Sequence, residues 1–204
     1  MAFAVLGSLS AWFTYAGLLG YLGVVRNTTT RPPGVVLLVG PIALFLLVFI
    51  VTEARSAIGI RIALAFPLWI LLGLQCFRLG VELFLHQLWI EGLVPKMLTY
   101  AGANVDIYVG VSAPLIAWLS TRGRMGVKIA LAWNLLGLIA LANVVVRAVL
   151  TAPGPLNLIH AEVPDRMIGT FPYLFIPAFF VPLAVVLHVL AIRAILSRQH
   201  TGWK

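Results

Sequence analysis

Residues 35–52 read VVLLVGPIALFLLVFIVT, an apolar run without a single charged side chain. As a helix it would extend about 27 Å, close to the roughly 30 Å thickness of a bilayer's hydrocarbon core. Five comparable blocks flank it, at about 2–25, 61–90, 104–120, 127–150 and 171–196. A soluble core has no use for so many uninterrupted runs. The pattern predicts an all-α, polytopic transmembrane helix bundle: one integral membrane domain spanning 1–204, with six spans. The 61–90 block is the longest; as one helix of about 45 Å it would tilt or protrude into water.

Composition agrees. Of 204 residues, 62% are hydrophobic and 10% charged, where a soluble domain carries about a quarter charged. The mean hydropathy is +1.06. The net charge of +8 does not point to nucleic acid, because the basic residues sit at block ends, where topology determinants and phospholipid headgroup contacts belong. Cys76 is the only cysteine, which excludes an internal disulfide, a CxxC redox pair and a thiolate zinc site. Its place inside a span predicts a small buried apolar residue. The segment from Met1 to Val25 lacks the basic start and cleavage site of a signal peptide and reads as a retained first span.

Orientation follows from the basic residues at the span ends. One side collects Arg55, Arg61, Arg122, Arg124, Lys128, Arg193, Arg198 and Lys204. The other has Arg26, Arg31, Lys96, Arg147 and Arg166, offset by Glu91, Asp106, Glu162 and Asp165. The first side is expected to be cytoplasmic, with both termini there, in a bacterial cytoplasmic (inner) membrane. The outer connections, about 91–103 and 151–170, are the longer ones and imply structure or function. Residues 156–167 could form a short interfacial helix limited by Pro164. The two halves of the chain show no repeat.

Chemistry concentrates in the segment from Gln75 to Trp89, QCFRLGVELFLHQLW. Arg78, Glu82 and His86 fall at i, i+4 and i+8, an arc of about 80° that also takes in Gln75 and Trp89. Ionisable residues inside a span cost at least about 2.5–3.5 kcal/mol each and normally face protein or trapped water. Arg78 is placed to pair with Glu82, and His86 to bond to Glu82. Two readings stand beside each other: a binding site or proton relay opening outward, and a buried ion pair that locks helices together. Asn104 and Asp106 begin the fourth span, while Asn143 and Arg147 are four apart near the outer end of the fifth. These four either join the ladder as a rim or sit at headgroup level as ordinary boundary residues.

No specific metal motif is present, although an acidic pocket containing His86 has suitable ligand types. A haem held by His86 and His188 is disfavoured, since counting from the span ends separates them in depth by roughly 18 Å. His188 reads as a core histidine bonded to a neighbour. The run from His160 to Asp165 reads as solvated loop, and Asn27-Thr28-Thr29 as a weak glycosylation match. Pro172, Pro177 and Pro182, interleaved with aromatics, imply a bent sixth span, either a gate or a static curve. No lysine lies mid-span, and Walker, HExxH, GxSxG and serial-arginine motifs are absent. Whether a haem, metal or lipid is bound stays open.

Three functions therefore compete. The leading one is a small membrane protein whose outward-facing polar cavity binds a small solute, ion or lipid headgroup, with Glu82 and His86 as proton carriers if the ligand moves. The second is a structural or accessory subunit of a larger membrane complex; beside the lipid bilayer, the expected partners are such subunits or, under the first reading, further copies of the chain in a homo-oligomer. The third is an intramembrane enzyme acting on a lipid or quinone-like substrate.

Overall fold

The computed structural model describes residues 2–154 and 156–200. Lys204, one of the basic residues expected on the cytoplasmic side, and Pro155, in the last connection, lie outside the described residues. The chain is 75% helical and contains no strand among those residues. Its helices are α1 (Ala2–Tyr21), α2 (Val35–Arg55), α3 (Ala57–Ala65), α4 (Leu68–Gly73), α5 (Phe77–Ile90), α6 (Asp106–Leu119), α7 (Arg124–Thr151) and α8 (Val181–His200). Four helical stretches are long and apolar enough to cross a membrane: Val35–Arg55, Leu68–Ile90, Arg124–Thr151 and Ile176–Arg198.

The 61–90 block is not one helix. Phe66 is extended (φ −110°, ψ 139°), as a residue before proline tends to be, and Pro67 leaves the helical region (φ −55°, ψ 135°). Helix α3 is thus split from the rest of the block. Its start is fixed by Ser56, whose hydroxyl accepts the Gly59 N–H at 3.0 Å, a standard N-cap. The stretch long enough to cross a membrane begins at Leu68 and runs through a 3₁₀ turn at Leu74–Cys76 into α5. Cys76 lies exposed on that turn, which corrects the expectation of a buried thiol.

The sixth block also starts differently. Residues 171–174 form turns, Ile176–Phe180 is a π-helical turn, and α8 begins at Val181. Pro177 sits inside the π turn, where one wider turn absorbs the missing proline N–H. Phe13 of α1 packs on Phe175 and Phe179 at ring-centroid distances of 5.2 and 4.9 Å. Trp12 donates to the Ala178 carbonyl at 3.1 Å, so α1 is fastened to this bend.

The connections before α2, between α5 and α6, and between α7 and α8 gather at one end of the bundle. Arg166 N–H bonds to the Leu93 carbonyl at 3.4 Å, and Lys96 N–H to the Glu162 carboxylate at 2.6 Å. No helix forms over 156–166, contrary to the interfacial helix expected there. The backbone instead bonds outward to α7, Ile159 to Leu150 at 2.9 Å and Asp165 to Thr151 at 3.0 Å. Only a 3₁₀ turn, Met167–Gly169, comes after it.

The 91–105 segment is only in part a surface loop, with Glu91, Lys96 and Tyr100 exposed. Val94, Leu98 and Thr99 are fully buried. It folds back along α5, and α6, only 14 residues long, starts partway down the bundle rather than at its edge. At about 21 Å, α6 is shorter than a hydrocarbon core. Gly110 lets it approach α5 closely: a Cβ there would stand 2.5 Å from the Leu79 nitrogen.

Candidate functional site

Asp106, the first residue of α6, meets Arg78 in a buried ion pair. Arg78 Nε also donates to Asp106 Oδ2 at 3.2 Å. Arg78 therefore pairs with Asp106, not with Glu82 as its i+4 spacing suggested. The start of α6 offers both carboxylate oxygens to the planar guanidinium, a geometry that favours the fork-shaped arginine. Arg78 Nη1 and Nη2 also reach His188 Nε2 at 2.9 Å and the Gly137 carbonyl at 3.5 Å.

This arrangement fixes the His188 tautomer. Arginine has no acceptor, so Nε2 accepts and the ring proton sits on Nδ1. Nδ1 then donates to Asn134 Oδ1 at 2.8 Å, and Asn134 Nδ2 donates to the Ala130 carbonyl at 2.7 Å. Arg78, Asp106, Asn134 and His188 are all buried. The expectation that His188 is a core histidine bonded to neighbours describes it correctly, but its partner is the arginine of the ladder.

Glu82 has a different neighbour. Its Oε1 accepts from Asn104 Nδ2 at 2.7 Å. The same amide donates to the Leu98 carbonyl at 2.9 Å, while Asn104 Oδ1 accepts the Asp106 N–H at 2.9 Å. Asn104 thus holds the folded-in segment, the start of α6 and Glu82 together. Glu82 is 2% exposed, yet its Oε2 is buried without a hydrogen-bond partner among the described residues.

Glu82, Arg78 and Asp106 form the polar floor of a cavity of about 270 Å³. Its walls are apolar side chains of α2 (Val39, Ile42, Leu46), α7 (Leu141, Val145, Ala148) and the π turn (Ile176, Phe180), with Met167 at the loop end. Val39 is 40% exposed, so the cavity reaches the outer surface of the bundle beside α2.

The other predicted site residues lie elsewhere. His86 stacks on Tyr100 at 4.4 Å between centroids, and its Nδ1 has no partner among the described residues; it does not bond to Glu82. Asn143 donates to the Ala103 carbonyl at 3.0 Å and accepts from Arg147 Nε at 2.8 Å. These two secure the 91–105 segment to α7 rather than rimming the cavity, and Arg147 and Asp106 do not pair. Among the described residues, no three His, Cys, Asp or Glu side chains gather as a metal site.

A family described as Domain of unknown function (DUF8737) matches residues 32–196. The chain belongs to the DUF8737 family. The matched region runs from just before α2 into α8, so it contains the cavity and every residue of the Arg78 network, and leaves α1 outside. No curated protein and no solved structure matches the chain.

One titratable group of the family region lies in the connection beyond the helices. Asp165 is 1% exposed; its Oδ1 accepts the Met167 N–H at 2.9 Å, and its Oδ2 has no partner among the described residues. Burial pushes its carboxyl up to about 7, against the Met167 N–H, which draws it down. The folded chain thus retains a proton that the unfolded chain has released. Stability from this group is full below the ordinary aspartate range and declines as pH rises from about 4 to about 7. Asp165→Asn should flatten that decline and melt higher than the wild type at pH 8, measured by thermal unfolding in detergent across the range.

Proposed function

We propose that this chain is an integral membrane protein that binds a small amphipathic molecule in the cavity between α2, α7 and the π turn. The observation that carries the reading is the unpartnered Glu82 Oε2 on the floor of an otherwise apolar cavity. A buried polar atom without a partner is unfavourable; a ligand with a polar head at Glu82 and a tail along Val39, Val145 and Phe180 would supply one. Apolar walls with a few convergent polar groups are the usual make-up of small-molecule sites.

Ligand binding accounts for the geometry better than proton relay does. The hydrogen-bonded chain from Asp106 to Asn134 passes through Arg78, which does not release its proton. It is a fixed scaffold that positions Asp106, and through it Asn104 and Glu82.

The expected topology completes the proposal: six spans, with α1 and α6 joining the four longer stretches, and both termini cytoplasmic in a bacterial inner membrane. The charge distribution supports it, since Arg55, Arg61, Arg122, Arg124, Lys128 and Arg193 lie at the end opposite the gathered connections. Fused after the C-terminus, green fluorescent protein should fluoresce and alkaline phosphatase should be inactive. The opposite pair of results would invert the orientation.

The binding reading is tested by mass spectrometry of molecules co-purifying with the protein. The wild type should retain one class of amphipathic molecule, and Ala148→Phe, which fills the cavity from α7, should release it. Equal retention by both would contradict the reading. Stoichiometric recovery of a membrane protein partner in place of a small molecule would make the chain a subunit of a complex.

A further inference from the structure

We infer that the molecule taken into this cavity carries a cationic amine head on a single apolar tail, an inference that rests on the proposed ligand binding. Three charged side chains line the cavity: Arg78, Glu82 and Asp106. The Arg78 charge is matched by Asp106, and Nη1 and Nη2 also reach His188 and Gly137. Among the described residues, Glu82 has the neutral Asn104 amide on one oxygen and no partner on the other. The lining therefore carries one carboxylate more than it has cations.

That imbalance discriminates between head groups. A carboxylate or phosphate would meet two acidic side chains and an arginine whose charge Asp106 already offsets. A hydroxyl would satisfy the Glu82 Oε2 hydrogen bond but bring no cation to the unmatched carboxyl. An ammonium group does both, and a charge-assisted hydrogen bond in a dry, apolar site is the stronger kind. Size narrows the class further. At about 270 Å³ the cavity lies at the small end of ligand sites, which suits one chain or a small ring system rather than a two-chain lipid.

The test compares three probes of equal tail, decylammonium, 1-decanol and decanoate, with the full chain in phosphatidylcholine nanodiscs. Binding is read by native mass spectrometry and calorimetry. Decylammonium should bind one to one, at least tenfold more tightly than decanol, with decanoate the weakest. Glu82→Gln, close in shape and without the charge, should erase the preference for decylammonium over decanol. Decanoate or decanol binding as tightly as decylammonium to the wild type would overturn the charge inference while the cavity reading stands. So would an amine preference unchanged in Glu82→Gln. If none of the three probes binds, the cavity reading itself falls and the head-group inference with it. The wild-type probe series needs no variant to fold.

Discussion

Arg78→Met lowers the stability of the folded chain by about 3–5 kcal/mol, the usual result of removing one member of a buried ion pair. Asp106 is 4% exposed and Glu82 2%, so the substitution leaves two acidic groups without the neighbouring cation. The cost lies in the stranded partner more than in the lost contact. The double variant Arg78→Met, Asp106→Leu should therefore recover much of the loss, because apolar replacement of a whole buried pair is often close to neutral. Arg78→Lys should recover little, since one ammonium cannot reach Asp106, His188 and Gly137 together. Reversible unfolding of the four proteins in mixed detergent measures this. Equal losses in the single and double variants would show that the pair contributes through something other than charge burial.

His188→Leu is expected to be the next most costly change. It strands Arg78 Nη1 and Asn134 Oδ1, each of which loses a bond of 2.9 or 2.8 Å, at about 1–3 kcal/mol per buried group left without a partner. Gly137→Val should mimic it without touching the histidine. A Cβ at Gly137 would stand 2.5 Å from His188 Cε1 and 2.8 Å from Nε2, forcing the ring away. Nitrogen-15 spectra of the wild type should show the His188 proton on Nδ1. A proton on Nε2 would contradict the network, because arginine cannot accept it.

The helical class was legible because a run such as 35–52 has only one low-energy environment. Arg78 and Glu82 were legible for the complementary reason, as charges where charges are costly. Their partners were not. Asp106 reads as a boundary residue only while α6 is assumed to start at the edge of the bundle, and nothing local in 91–105 announces that it folds inward. The Phe66-Pro67 break was visible in principle but lay inside a run with no polar interruption. Set against His86, His188 lies at the wrong depth. Against Arg78 the arithmetic works: Arg78 is 12 residues before Ile90, and His188 is 12 after Ile176, so each lies about 18 Å from the same end of the bundle. Asn134 gave no sign, since one asparagine in a long apolar helix has many possible neighbours.

The stabilising network and the cavity have different parts to play. Arg78, Asp106, His188 and Asn134 satisfy one another and hold helices α5 to α8 in register. Asn104 links that scaffold to Glu82, whose second oxygen is left facing apolar walls. The most direct test is a density map of the protein purified in lipid nanodiscs without detergent exchange. Elongated density should lie between α2 and α7, ending within hydrogen-bond distance of Glu82 Oε2, and should be missing from the Ala148→Phe map. A closed contact between α2 and α7, with Glu82 Oε2 bonded to a protein donor, would contradict it.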